Sequence, residues 1–368
     1  MHRWQNRIAE SSATLPTACV VATLLWWQPQ GGYSTAYLLS WLTCALTTYL
    51  ILEMTAQNAL LRIRSRMISS LFLLVMAVCG FLHPLQTGVV VMSCMTLSFY
   101  TLLRTCDAQR PEVNTMHAYL AIAMGSLLWP PLLLLAPVQL WSQGVYLRSL
   151  TQRSFGAALI GLLLPYILWA TGAFALGHID NLITHTTAII APFTEPWYWQ
   201  WAVEKAQSVD DGSTFFETFS IVSSAIADHF TSQCLAHPTE TAALGFVMLL
   251  SLTGFFHYVS ISYDDKIRVR MCHYTLMAMQ IIIILWLFLQ PELFYQLFPL
   301  LIVTTVPAAA HFIALTHSWF SNAWVVMLLL LLIVTGICCL ALPSLLDWPQ
   351  WPGDLSSALP HSLLTLNY

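Results

Sequence analysis

Hydrophobic residues in this chain come in blocks of about 16–24 residues, separated by short polar stretches. This length matches the roughly 20 residues that a helix needs to cross the hydrocarbon core of a bilayer. Because lipid offers no hydrogen bonds to the backbone, each block must satisfy its own peptide groups, as a helix does. The pattern therefore predicts an all-α, polytopic membrane helix bundle. The predicted segments are residues 13–28, 34–54, 67–82, 86–103, 116–128, 130–141, 154–177, 241–262, 271–289, 295–316 and 322–343.

The fifth and sixth segments form one apolar run that Trp129-Pro130-Pro131 interrupts. Two successive prolines break helical hydrogen bonds, so the run is either one kinked helix or a hairpin of two short helices. Lys and Arg collect in cytoplasmic loops. The hairpin places 12 of the 13 basic residues on one side and leaves only Lys205 opposite. We therefore predict the hairpin, about eleven membrane segments, a cytoplasmic N-terminus and an external C-terminus.

Composition agrees with a membrane location. The chain is 58% hydrophobic and 8% charged, with a mean hydropathy of +0.70, whereas soluble domains are about 25% charged. The net charge of −4 and the lack of a basic patch argue against a nucleic-acid partner. The nine cysteines show no zinc-type spacing. We expect an integral protein of the bacterial inner membrane, without a metal or cofactor.

The predicted segments divide the chain into four parts. Residues 1–177 form an N-terminal bundle, and residues 178–240 form a long extracytoplasmic loop. Residues 241–343 form a C-terminal bundle, which an external tail at 344–368 follows. The loop carries eight acidic residues against one base, and its apolar positions between 215 and 230 recur at helical spacing. This spacing predicts an amphipathic helix on the membrane or on the bundle.

The long loop contains the main candidate binding residues. Tryptophans at every second position predict an extended strip with one aromatic edge. They act either as an interfacial anchor or as a stacking platform for a sugar or lipid headgroup, with nearby acids accepting hydrogen bonds. An acidic pair in the same loop could hold a divalent cation, although a solvated turn is the simpler interpretation. The candidates are Trp197, Trp199, Trp201, Glu195, Glu204, Asp210, Asp211 and Asp228.

Inside the predicted spans, polar candidates are few. His257 and His311 fall within spans, and neutral imidazole is a common metal or haem ligand. No further ligand at helical spacing completes a site. We therefore interpret His257-Tyr258 and His311 as hydrogen-bonded helix contacts and as a candidate polar spot inside the bundle.

Several stretches carry a resemblance to known families. The run Gly161–Tyr166, the stretch Lys266–Arg270 and the stretch Pro299–His317 resemble an uncharacterised family of bacterial polytopic envelope proteins, over roughly residues 60–340. This resemblance implies a location and no activity. The topology is also similar to membrane glycosyltransferases that use polyprenyl-phosphate sugars. Their catalytic carboxylate lies in the first outer loop, whereas residues 28–33 contain no Asp or Glu. That resemblance implies architecture without the chemistry.

Three functional hypotheses follow from these observations. The first is a non-enzymatic envelope protein, either a membrane subunit or a component that handles lipids or glycans. The second is a glycosyltransferase-like enzyme that uses carboxylates of the outer loop. The third is a transporter or flippase. Expected partners are membrane lipids, with other envelope proteins or a lipid-linked glycan as further candidates.

Overall fold

The structure, a computed structural model, describes residues 11–27, 35–63, 65–106, 108–177, 179–195, 199–208, 215–315 and 318–340. Within these ranges the chain is helical and contains no strand. The predicted tail at 344–368 lies outside them. The α-helices are α1 Thr14–Trp26, α2 Thr35–Asn58, α3 Met67–Val78, α4 Thr87–Leu103, α5 Pro111–Ser126, α6 Ala136–Val145, α7 Gln152–Leu176, α8 Ile179–Thr194, α9 Gln200–Gln207, α10 Phe215–Ala236, α11 Pro238–Ile261, α12 Ile267–Leu289, α13 Phe294–Leu315 and α14 Trp319–Leu340. Short 3-10 segments cover Gly80–Leu82, Pro130–Leu135, Ser262–Asp264 and Pro291–Leu293.

Within the described residues, the eleven predicted segments are mainly helical, and together they correspond to α1–α7 and α11–α14. Six helices in the described ranges are long and apolar enough to cross a membrane: α2, α7, α11, α12, α13 and α14, some with a short 3-10 extension. The all-helical fold is therefore confirmed, and its helices have the character of a multi-pass membrane protein. The full count of crossings remains a prediction.

The proline-broken run folds as a hairpin. Helix α5 ends at Ser126, the prolines open a 3-10 segment, and α6 runs back along α5. Gln143 near the end of α6 donates a hydrogen bond to Thr115 in the first turns of α5, at 2.9 Å. Tyr119 donates to Gln143 at 3.3 Å. These contacts place the end of α6 beside the start of α5, as a hairpin of antiparallel helices requires. Whether the two short helices cross a membrane stays a prediction.

Helix α13 lies at the centre of the bundle, packed by α3, α4, α11 and α12. Helix α11 approaches it closely at Gly254. A Cβ atom at this glycine would lie 2.7 Å from the backbone nitrogen of Ala309. Small residues permit such approaches between helices in a membrane, where packing rather than hydrophobic burial drives association. The contact brings the last turns of α11 and α13 together, with Tyr258 and His311 facing each other across the seam.

The predicted long loop is largely helical. The expected amphipathic helix is present as α10, and two further helices, α8 and α9, precede it. Helix α8 packs on α7 and on the 3-10 segment Pro130–Leu135. The carbonyl of Pro192 accepts hydrogen bonds from Trp199 and from Gln290. The extended strip is wrong at Trp201, which belongs to α9, because the chain already turns into a helix at Gln200.

Candidate functional site

The most unusual group of side chains lies where two helix connections, α2–α3 and α11–α12, meet at one end of the bundle. Arg62 follows α2, and Asp265 joins α11 to α12. The Arg62 Nε donates to Asp265 Oδ1 at 2.5 Å, although 203 positions separate the two residues. The Asp265 side chain is only 1% exposed, while Arg62 keeps 36% of its surface in contact with solvent. The pair therefore joins a buried carboxylate to a half-exposed guanidinium.

The charge state of Asp265 follows from this setting. Burial raises the pKa of the carboxyl, but the Arg62 hydrogen bond and nearby positive charge outweigh it and lower the pKa below its ordinary value. Asp265 is therefore ionised at neutral pH. Its second oxygen lies 3.3 Å from Nε2 of the fully buried His311. The Tyr258 hydroxyl also interacts with the Asp265 carboxylate and favours its ionised form, so Asp265, His311 and Tyr258 form one electrostatic group.

Stacked aromatic rings extend the site from Asp265 into the bundle. The ring of Tyr258 on α11 stacks on His273 of α12, with centroids 4.2 Å apart. His311 of α13 meets Tyr258 edge-on at 4.9 Å, and His257 lies 5.6 Å from His311. We call Arg62, His257, Tyr258, Asp265, His273 and His311 the histidine cluster.

The proton of His273 can be placed from its contacts. Its Nε2 lies 3.0 Å from the carbonyl oxygen of Leu60. A carbonyl only accepts hydrogen bonds, so Nε2 carries the proton and Nδ1 is left as an acceptor. That Nδ1 is buried and has no partner among the described residues. His273 thus fixes the α2–α3 connection with one nitrogen and offers the other to the interior.

Unpartnered buried polar atoms concentrate at this end of the bundle. A buried donor or acceptor without a partner costs about 1–3 kcal/mol. Native proteins therefore leave few, and each one calls for an explanation such as an ordered water, a ligand or a functional role. Within the described ranges these atoms include His257 Nε2, Arg268 Nε, Arg270 Nε, His273 Nδ1 and His311 Nδ1.

An apolar groove of about 480 Å³ runs between α11 and α14 beside the cluster. Its walls include Leu252, Phe256, Phe312 and Trp324. His257 also lines the groove, and its buried Nε2 faces away from solvent while its ring lies against His311. His257 therefore stands between the α11–α14 groove and the buried polar groups. In a bundle whose α11 and α14 cross a membrane, this groove faces lipid.

Across the described ranges, no three His, Cys, Asp or Glu side chains converge with the geometry of a metal site. The rings of the histidine cluster are instead arranged edge-on and stacked. They can hold protons, water or a hydrogen-bonding group. His257 and His311, predicted as a polar spot, do come together there.

The other predicted site residues lie at the opposite end of the bundle, in and around helices α9 and α10. Trp201, Glu204 and Asp228 line one open cavity of about 490 Å³, the α9–α10 cavity. Glu195 is exposed at the end of α8 and is not part of the cavity. Trp199 packs against Trp201 with centroids 5.6 Å apart. Trp197, Asp210 and Asp211 lie outside the described residues.

The two described tryptophans make contacts that attach this region to the bundle. Trp199 donates its indole N–H to the carbonyl of Pro192 at 2.7 Å. Trp201 stacks on His229 with centroids 4.9 Å apart and an interplanar angle of 11°. His229 in turn lies 2.6 Å from the Glu292 carboxylate before α13. These contacts fix the two tryptophans on the bundle, and the interfacial anchoring considered from the sequence remains a prediction.

Sequence reasoning missed Arg62, Asp265 and His273 as site residues. Their only local signal was polar character at the ends of apolar blocks, where exposed charge is ordinary. No family model matches this chain, and no curated protein matches it at a significant level. The function of the chain is therefore inferred from the geometry of the site.

Proposed function

We propose that this chain is a multi-pass protein of the bacterial inner membrane that holds a lipid, or the lipid part of a lipid-linked glycan, without catalysing a reaction on it. The observation that carries the proposal is the set of unpartnered buried polar atoms beside the α11–α14 groove. The groove takes the apolar chain, and the polar end of the lipid lies at the histidine cluster.

Charge favours an anionic headgroup at this position. Lys266, Arg268 and Arg270 lie at the same end of the bundle as the cluster, and the buried Nε atoms of both arginines lack partners in the described ranges. Clustered basic side chains beside a span attract the phosphates of anionic lipids. From Leu249 to Ser260 the groove follows α11 for about 16 Å. This is long enough to hold a substantial part of an acyl or prenyl chain.

The proposal includes the topology of eleven membrane segments with the basic end in the cytoplasm. Two contacts support this topology: Arg62 with Asp265, and Arg268 with Asn58 at 3.3 Å. Each joins residues that are far apart in the sequence, and so places the basic α2–α3 and α11–α12 connections at the same end of the bundle. Reporter fusions test it. Fusions after Arg110 and Arg153 should read cytoplasmic, and a fusion after Asp211 should read external. An external reading after Arg153 would overturn the topology.

Lipid retention tests the function directly. Ser260 lines the groove next to His257, whereas its neighbour Val259 is 50% exposed and does not line it. Ser260→Trp should fill the groove and reduce co-purified lipid, measured by native mass spectrometry, by about tenfold, which corresponds to about 1.4 kcal/mol of affinity. Val259→Trp is the matched control and should retain lipid. Equal retention by both variants, or no lipid on the wild-type protein, contradicts the proposal.

Transport across the bilayer is a second candidate, favoured by polar groups at several depths along the α11–α12–α13 seam. Glu240 accepts a hydrogen bond from Tyr295 at 3.0 Å at the end opposite the histidine cluster. Gln280 contacts Thr305 at 3.3 Å further along. Buried apolar residues such as Val247 separate these groups, so a path would require the seam to open. Movement of a fluorescent lipid between leaflets of vesicles containing the purified protein would distinguish transport from holding.

A further inference from the structure

The α9–α10 cavity is a second candidate site, because several of its polar side chains are not used in contacts within the protein. At about 490 Å³ it falls within the usual range of ligand pockets, about 300–1,000 Å³. Its lining combines aromatic, acidic, basic and hydroxyl side chains. Residues that line it include Trp201, Glu204, Lys205, Asp228 and His229.

One wall of the cavity is held in place. The His229 ring is fixed on one side by the stacked indole of Trp201 and at its edge by Glu292, at 2.6 Å. Trp201 is in turn packed by Trp199, which is tied to Pro192. A site whose side chains are already positioned loses less entropy when a ligand binds.

The polar groups on the wall are not used internally. Glu204, Lys205 and Asp228 have no ion-pair partner within 4 Å among the described residues. The indole N–H of Trp201 is shielded from solvent and has no hydrogen-bond acceptor in the described part of the chain. That N–H is therefore out of reach of a ligand in the cavity, and the indole ring is the part of Trp201 that lines it.

The balance of these groups selects the class of ligand. Two carboxylates against one ammonium disfavour phosphate and other anions. No three metal-ligating side chains converge within the described ranges, which disfavours a bare cation. Hydroxyl groups match the set best, because they donate to the carboxylates and accept from the Lys205 ammonium group. The aromatic wall adds contact with the apolar face of a sugar ring.

We propose that the α9–α10 cavity binds a neutral sugar, with Glu204 and Asp228 accepting hydrogen bonds from its hydroxyl groups and the Trp201 ring packing against its apolar face. This site is separate from the lipid site at the other end of the bundle. Neither site requires the other, so lipid retention and sugar binding can fail independently.

Saturation-transfer NMR on the full-length protein in phosphatidylcholine nanodiscs tests the proposal, because maltoside detergents would themselves compete as sugars. The probes are glucose, N-acetylglucosamine and its β-1,4-linked disaccharide, with inorganic phosphate and spermidine as an anion and a polycation. At least one sugar should give a saturable signal. Asp228→Asn and Glu204→Gln should each weaken its binding about tenfold or more, as expected for a lost charge-assisted hydrogen bond.

Asp180→Asn is the matched control, because Asp180 is an exposed acid in the same region that does not line the cavity. It should bind the sugar as the wild type does, and thermal midpoints should agree among all variants. A wild-type protein that binds spermidine or phosphate in preference to sugars, or that binds none of the probes, overturns the proposal. So does sugar binding that survives both Asp228→Asn and Glu204→Gln.

Discussion

The two ends of the bundle each pair a carboxylate with a basic side chain, but in different surroundings. At one end, Asp265 is 1% exposed and its partner Arg62 belongs to a connection between bundle helices. At the other end, His229 and Glu292 are 15% and 25% exposed, and they attach the peripheral helix α10 to the bundle. The first pair is part of the packing of the bundle, whereas we expect the second to be an attachment that opens while the bundle stays folded.

The packing around the two pairs also differs: it is closer around Arg62 and Asp265 than around His229 and Glu292. The histidine cluster is enclosed by α11, α12 and α13, with α11 and α13 in backbone contact at Gly254. The α9–α10 cavity is held by ring stacking and a few hydrogen bonds. Segments with few buried apolar contacts open locally at lower free energy than the core. We therefore expect the cluster to be rigid and the cavity to be adaptable.

Removal of Arg62 should have the largest effect on this comparison. Arg62→Ala leaves the buried Asp265 carboxylate unpaired, which we expect to cost about 2–3 kcal/mol, reduced from the full buried-pair value because Arg62 is half-exposed. The measurement is the free energy of unfolding in detergent. Asp264→Asn is the control: this acid is 48% exposed and 3.7 Å from Arg62, and its loss should cost under about 0.5 kcal/mol. Equal losses would show that Asp265 is not buried as described.

Adding a methyl group at the helix seam should have the next largest effect on stability. Gly254→Ala places a Cβ 2.7 Å from a backbone atom of α13, so the helices must separate, at a cost of about 1–3 kcal/mol. Gly245→Ala on the same helix meets nothing within 4 Å. It should leave stability unchanged or raise it by up to about 1 kcal/mol through helix propensity. Thermal unfolding of the two variants compares them, and a loss only at Gly245 would contradict the close approach.

The helices could be predicted from the sequence because lipid forces each apolar block to close its own hydrogen bonds. The same argument placed His257 and His311 inside the bundle. It could not show that Arg62 meets Asp265, because contacts between distant connections depend on how the helices pack. It also missed α8, whose Thr-rich sequence forms no apolar block, and α9, where alternating tryptophans gave a misleading strand signal.

The charge on Asp265 predicts a pH dependence of stability. Its folded-state pKa is lowered below the ordinary value of 3.8, so its contribution is fully present above about pH 4 and is lost as the pH falls through the folded-state value. The thermal midpoint of the wild type should therefore fall more steeply below about pH 4 than that of Asp265→Asn. Thermal scans in steps of half a pH unit measure both. Parallel curves would mean that Asp265 is not stabilised in its ionised form.

The smallest expected effect concerns the attachment at the other end. His229→Ala removes both the stack on Trp201 and the contact with Glu292. Because both partners are partly exposed, global stability should fall by less than about 1 kcal/mol. Amide hydrogens of α9 and α10 should nevertheless exchange about fivefold faster, as local opening becomes easier, while exchange in α13 stays unchanged.

Two further variants separate the causes of that loosening. Glu292→Gln keeps an oxygen that can accept a hydrogen bond from His229 but removes the charge. If stacking and the hydrogen bond hold α10 in place more than charge does, amide exchange in α10 should stay near the wild-type rate. Ser224→Ala lies on the exposed side of the same helix, where its hydroxyl bonds only to its own helix, and it should change nothing. If His229→Ala instead accelerates exchange in α13 as strongly as in α10, the attachment is part of the bundle's own packing, and the contrast between the two ends disappears.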